Sequence, residues 1–195
     1  MNSIYLKIWQ LAQPYYEKGG RGDIETIPWI MQKCEELCFS ENVDKSILMP
    51  FVILHDVGYA LCPRENSARI EMKLMHMRYG KEIAKKILNE IHYDKEKIKQ
   101  ICEYIGMHDD WAFGRYEMFK KDHILGLFSD LRFLCICGEI GFEKSRLRRG
   151  ISYEDMLDLI EYNEKTLNRP FVCSFTRNLF RQLLFERKNK TNDFW

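Results

Sequence analysis

Histidine and proline are both scarce in this chain, five of each in 195 residues, beside 11 glycines. So little proline and glycine excludes a collagen-like or low-complexity chain. At 46% hydrophobic and 13% aromatic residues, a disordered chain is excluded as well. No Cys-x-x-Cys occurs among the seven cysteines, at 34, 38, 62, 102, 135, 137 and 173. An odd number without that spacing argues against a disulfide framework and against a four-cysteine zinc site. Cys135 and Cys137 lie among apolar neighbours, where a free thiol behaves as a small core hydrophobe. An excess of either charge is also missing. Thirty Lys+Arg against 29 Asp+Glu leave a net +1, so neither a nucleic-acid partner nor an acidic tail is expected. No run nears the ~20 apolar residues of a membrane span, so no membrane partner is expected. The opening residues, Met1 to Lys7, lack a basic stretch followed by an apolar one. No signal peptide is read, and the expected location is the cytoplasm, with its thiols reduced.

What is present is helical periodicity. Apolar residues recur at helical spacing nearly throughout, and period-two alternation never holds long enough for a strand. The expected fold is all-α, a compact single-domain helical bundle of about eight or nine helices. Residues 3–17 form an aromatic-rich amphipathic helix that stops at Gly19-Gly20-Arg21-Gly22. Helices follow near 26–39, 44–58, 68–91 and 94–107, with an irregular, Trp-bearing loop at 109–120. Others are expected near 121–130, 131–148, 153–167 and 174–188. Pro50 predicts a kink or break in the third helix, and Gly80 an interruption in the fourth. Asp44 and Asp94 are placed as caps, and Ser152 with Asp155 as a capping box. The expected organisation is an N-terminal helix at 1–22 packed on a body at 23–168, then a C-terminal helix and polar tail at 169–195. The aromatic stretch from Phe171 to Phe185 reads as core, with an interaction surface as the alternative.

The same periodicity serves as a search for a site, because an ionisable residue where the pattern demands a hydrophobe needs an explanation. Leu48, Phe51 and Val52 set an apolar stripe whose continuation is His55, followed by Asp56. Ile98, Ile101, Cys102 and Ile105 lead in the same way to His108 and Asp109. Ile124 and Leu127 lead to Asp130, and His76 lies among Met72, Met75, Tyr79 and Ile83. Burying a carboxylate unpaired is costly, so a cation or strong donors must be near. Any one such histidine is more often a satisfied core residue, and Asp109 or Asp130 alone would read as a helix cap. Three of only five histidines on apolar faces is harder to dismiss. Metal coordination is the economical explanation, and imidazole with carboxylate suits Fe, Mn, Zn, Ni or Mg. His92 and His123 sit beside Lys, Asp or Tyr and read as surface.

With these residues in order, the chain resembles the HD-domain superfamily of metal-dependent phosphohydrolases. The hallmark His-Asp doublet is His55-Asp56, in Leu54-His55-Asp56-Val57-Gly58, and the later aspartate is Asp130 in Phe128-Ser129-Asp130-Leu131-Arg132. His76 and His108 match the additional histidines of two-metal members, and the resemblance covers about 23–168. It implies hydrolysis of a phosphoester or phosphoanhydride in a small phosphorylated substrate such as a nucleotide, with one or two divalent ions. His55, Asp56 and Asp130 would hold the first ion, and His76 and His108 a second, with Asp56 bridging. Asp56 and Asp109 would be the catalytic carboxylates, Asp109 orienting His108 or accepting a proton. Trp111 and Arg115 would contact substrate, the one stacking on a base and the other meeting a phosphate. A homo-oligomer stays open. The family's first histidine should fall near residue 26, yet no histidine precedes His55. Glu25 or Asp23 replaces it as an oxygen ligand, or Thr26 occupies the position and water completes the shell. Thr26 also reads as a plain N-cap. A catalytically degenerate protein that binds metal or nucleotide as a sensor is the alternative function.

Overall fold

Among the residues that the computed structural model describes (3–20, 23–63, 70–163 and 171–190), all regular structure is helical, as the periodicity predicts. The chain divides into two compact units, Met1–Phe119 and Lys120–Trp195. The first holds α1 (Ser3–Gly19), α2 (Ile27–Ser40), α3 (Lys45–Leu54), α4 (Ile70–Glu90) and α5 (Lys95–Ile105). Tight 3-10 turns at Asp23–Glu25, Val57–Leu61 and Asp110–Phe113 lie between or after them. The short α6 (Glu117–Lys121) straddles the boundary. The second unit holds α7 (His123–Cys137), α8 (Glu139–Arg149), α9 (Tyr153–Glu161) and α10 (Ser174–Lys190).

The centre of the first unit is α3. Every residue from Ile47 to Leu54 is buried, because the segment is apolar on all faces and α1, α2 and α5 pack around it. Asp44 caps it as expected, its Oδ1 accepting the Ser46 N–H at 2.8 Å. No break occurs at Pro50. A proline four residues on deprives the Ser46 carbonyl of its helical donor. The Tyr93 hydroxyl supplies one instead, at 2.7 Å, and the helix runs through. It ends at Leu54 rather than 58, and the chain then turns through His55 and Asp56 into Val57–Leu61. Gly80 does not interrupt α4 either. A Cβ there would stand 3.0 Å from the Ile105 Cγ2, so the glycine marks a close approach of α5.

In the second unit the expected boundary near 130 is absent. One helix continues to Cys137, and the break falls at Gly138, which is extended (φ −68°, ψ 158°). Ser152 and Asp155 form the reciprocal capping box, with bonds of 3.0 and 3.3 Å. The rings of Phe133, Phe171 and Phe180 cluster with centroids 5.2–6.1 Å apart. Of the aromatic stretch, Phe171 is core, Phe175 and Phe180 are half-buried, and Phe185 is 67% exposed.

All seven cysteines are free thiols, and all but the half-buried Cys62 are buried. Burial pushes the Cys34 and Cys137 thiols well above their ordinary range. Thiolate is the reactive species. One fast-reacting thiol is therefore expected with Ellman's reagent on native protein, and seven after denaturation. A second fast thiol in the native protein would contradict the burial.

Candidate metal centre

Three segments of the first unit deliver imidazoles to one place. His55 follows the C-terminal end of α3, His108 follows that of α5, and His76 lies on the buried face of α4. Helix C-termini carry partial negative charge, so two of the three imidazoles stand where a cation is favoured. Each ring is fixed by a backbone carbonyl on its own segment. His55 Nδ1 is 2.8 Å from the Val52 oxygen, His76 Nδ1 3.1 Å from Met72, and His108 Nδ1 2.8 Å from Ile105. A carbonyl only accepts, so each Nδ1 carries the proton and each Nε2 presents a lone pair.

Those lone pairs face one another and a carboxylate. His76 Nε2 and His108 Nε2 are 3.2 Å apart, and Asp56 Oδ1 lies 3.3 Å from the second and 3.4 Å from the first. The other oxygen of Asp56, Oδ2, is 3.1 Å from His55 Nε2. All four side chains are buried. Asp56, His76 and His108 form a group whose ligand atoms lie within reach of a single ion. A triangle with sides of 3.2–3.4 Å has a circumradius of about 1.9 Å, so a point about 2.0–2.1 Å from all three atoms exists. That is the bond length imidazole and carboxylate make to a first-row divalent metal. One shared proton would satisfy one pair of acceptors and leave the third facing a lone pair, whereas one cation satisfies all three. Burial holds His76 below the ordinary histidine range, Asp56 opposing it, which favours the neutral form that ligates. The residues present fit a divalent cation.

Around this centre the sequence expectations are met unevenly. Asp109 was expected to orient His108, but the Ile105 carbonyl performs that task. Asp109 Oδ2 instead takes the Lys73 ammonium at 2.6 Å, and its Oδ1 takes the Trp111 indole N–H at 3.2 Å. The same oxygen that binds Lys73 is 3.8 Å from His76 Nε2. Burial alone would raise this carboxyl, but His108 and Lys73 outweigh it and hold it down at about 2. A carboxyl that acidic is a weak proton acceptor near neutral pH. Trp111 is half-buried, with Lys73 Nζ 5.0 Å from its ring centroid. Arg115 is mostly exposed and pairs with Asp110 at 3.2 Å.

Asp130 belongs to the second unit, where it is fully buried on α7. Its Oδ2 accepts from the Thr176 hydroxyl at 2.7 Å and the Val172 N–H at 2.9 Å, tying α7 to the head of α10. Glu25 is exposed and stands outside the Asp56–His76–His108 group, and the side chain of Asp23 lies outside the described residues. Thr26 is buried at the head of α2, but its backbone is helical (φ −93°, ψ −25°), so its side chain makes no capping bond and the N-cap role falls away. His92 and His123 are exposed, as read.

Two neighbours escaped the sequence reading. Tyr59 stacks on His76 with ring centroids 4.0 Å apart and planes 9° from parallel. Lys73, one helical turn before His76, places a cation at the edge of the centre through Asp109. Its i, i+3 spacing from a buried histidine was the available signal. Compared with models of known protein families, with curated proteins and with solved structures, the chain matches none.

Proposed function

We propose that this protein is a metal-dependent phosphohydrolase of the HD-domain superfamily, acting on a phosphoester or phosphoanhydride of a small metabolite, a nucleotide foremost. The observation that carries the reading is the inward-facing set of three carbonyl-fixed imidazoles on the two oxygens of Asp56. His76, His108 and Asp56 Oδ1 would hold one divalent ion, and His55 with Asp56 Oδ2 would contribute to a second. Imidazole donors favour Fe, Zn or Ni over Mg, and the carboxylate also suits Mn. When bound, such an ion polarises a phosphoryl oxygen and lowers the pKa of water toward neutrality.

The remaining roles fall to the chain's own residues. Lys73 sets a positive charge beside the centre, where phosphate oxygens are electrostatically favoured, and Asp109 holds it there. Trp111 braces that pair, and its ring would stack on a substrate base. Tyr59 covers the His76 ring and keeps water from its face. A non-catalytic metal or nucleotide sensor is the second reading, favoured by the absence of any histidine before His55 and by the exposure of Glu25.

The test is purification without chelator, metal analysis, and a panel of nucleotides and phosphoesters with each ion added. Metal-dependent phosphate release is expected, falling at least about 100-fold in His55→Ala. Metal-loaded protein that turns over nothing would leave the sensor. Protein that takes up no metal would sink the hydrolase and the metal sensor, and a nucleotide sensor would fall if calorimetry also showed no nucleotide binding at millimolar concentration.

A further inference from the structure

The two helices that supply His76 and the approach to His108 also enclose a groove of about 550 Å³ on residues the metal centre does not use. Lys81 and Lys85 on α4 and Lys95 and Lys99 on α5 stand around it, each pair spaced four apart on its helix. Ile98 and Cys102, both buried, line it between them. Like charges at i, i+4 destabilise a helix by a few tenths of a kcal/mol per pair. Glu82 beside Lys85 and Glu103 beside Lys99, at helical spacing, offset part of that cost.

Two of the three other lysines of these helices are ion-paired, and Lys86 on α4 has no ion pair among the described residues. Lys73 pairs with Asp109 and Lys97 with Asp44, whereas none of the four groove ammoniums forms an ion pair among the described residues. Glu82 and Glu103 also line the groove, so two of its four positive charges are left over, in a chain whose total is +1. The volume lies within the range of small-molecule sites, and lysine stems with Ile98 and Cys102 supply apolar wall. A duplex or an extended acidic peptide needs a longer basic track than two helix pairs provide, and the two glutamates interrupt it. What fits is a compact molecule with several negative charges and an apolar flank.

We propose that the α4–α5 groove is a second binding site, taking a compact polyanion of the di- or triphosphate class, separate from the metal centre. It does not rest on the hydrolase reading. The Cys102 thiol donates to the Lys81 carbonyl at 3.5 Å across the same two helices, so an occupant bears directly on the elements that carry the ligating histidines.

Calorimetric titration of inorganic triphosphate and of ADP into chelator-treated full-length protein tests this without a metal to capture phosphate. One-to-one binding is expected, weakened at least about tenfold by the paired swap Lys85→Glu and Lys99→Glu, both exposed positions. The same change of charge elsewhere, Lys7→Glu with Lys18→Glu, and Asp56→Asn should each leave affinity within about threefold. No binding at millimolar ligand would overturn the proposal, as would equal weakening by the Lys7 and Lys18 swap. Loss of binding in Asp56→Asn would place the anion at the metal centre and overturn it too. None of these results alters the metal analysis that tests the hydrolase. Circular dichroism and the single variant Lys85→Ala guard against reading misfolding as lost binding.

Discussion

Asp56→Asn is expected to abolish metal binding at the proposed centre while leaving the apo fold intact. Both oxygens of Asp56 are committed, Oδ1 at 3.3 and 3.4 Å from two imidazoles and Oδ2 at 3.1 Å from the third. Removing the carboxylate takes away a ligand and the only anionic donor in the buried group. Disturbing residues that merely orient ligands typically costs 10–100-fold in affinity, so losing this one should exceed about 100-fold. Stability of the metal-free protein moves the other way or not at all. Asparagine has the same shape, and its amide can direct an N–H at an Nε2 lone pair that otherwise faces an acceptor. Chelated wild type and variant should therefore melt within a few degrees of each other. Adding an ion at about 1,000 times its dissociation constant should stabilise only the wild type, by about 4 kcal/mol. Asp109→Asn is the contrast: it loses the contact with Lys73 but no ligand atom of the group, and should cost no more than about tenfold in affinity. If an ion raises the melting temperature of Asp56→Asn as it raises wild type, the centre is assigned to the wrong residues.

Much of this centre was legible because burial leaves a mark in periodicity. His55, His76 and His108 occupy positions where α3, α4 and the run after α5 should carry hydrophobes, and the four buried side chains meet as their stripes imply. Contacts between residues far apart in sequence leave no such mark. Lys73 reads as a solvated lysine until the chain has folded Asp109, 36 residues away, against it. Pro50 reads as a helix breaker because the donor that compensates it, Tyr93, lies 47 residues beyond Ser46. The boundary expected near 130 failed for a related reason. Asp130 looks like a cap from its neighbours alone, but its donors are Thr176 and Val172, so it stays inside a continuous helix. Local rules assigned the long helices, and missed the short α6 inside the expected loop, the end of α3 at Leu54, and the places where tertiary partners override a terminator.

Gly58→Ala is expected to be the most damaging single methyl group in the first unit. Gly58 follows Asp56 by two residues, and a Cβ placed on it would stand 1.9 Å from the His76 carbonyl oxygen, 2.8 Å from its carbon and 2.5 Å from the Gly80 N. All three are backbone atoms of α4, so no change of rotamer relieves the overlap. Either the 57–61 turn or α4 must move by an ångström or more. Overpacking a core usually costs about 1–3 kcal/mol, and a clash confined to backbone belongs at or above the top of that range. Gly80→Ala provides the comparison. Its Cβ would meet the Ile105 Cγ2 at 3.0 Å, a side-chain end that can give way, and alanine gains about 1 kcal/mol over glycine inside a helix. Urea denaturation of chelated protein should therefore place Gly80→Ala within about 1 kcal/mol of wild type and Gly58→Ala at least about 3 kcal/mol below it. The displacement also falls on the residue whose Nε2 completes the triangle with His108 and Asp56, so any folded Gly58→Ala protein should bind metal more weakly than Gly80→Ala. A Gly58→Ala variant as stable as wild type would mean that the turn after Asp56 does not pack on α4 as closely as described, and the position of His76 beside Asp56 would lose its structural basis.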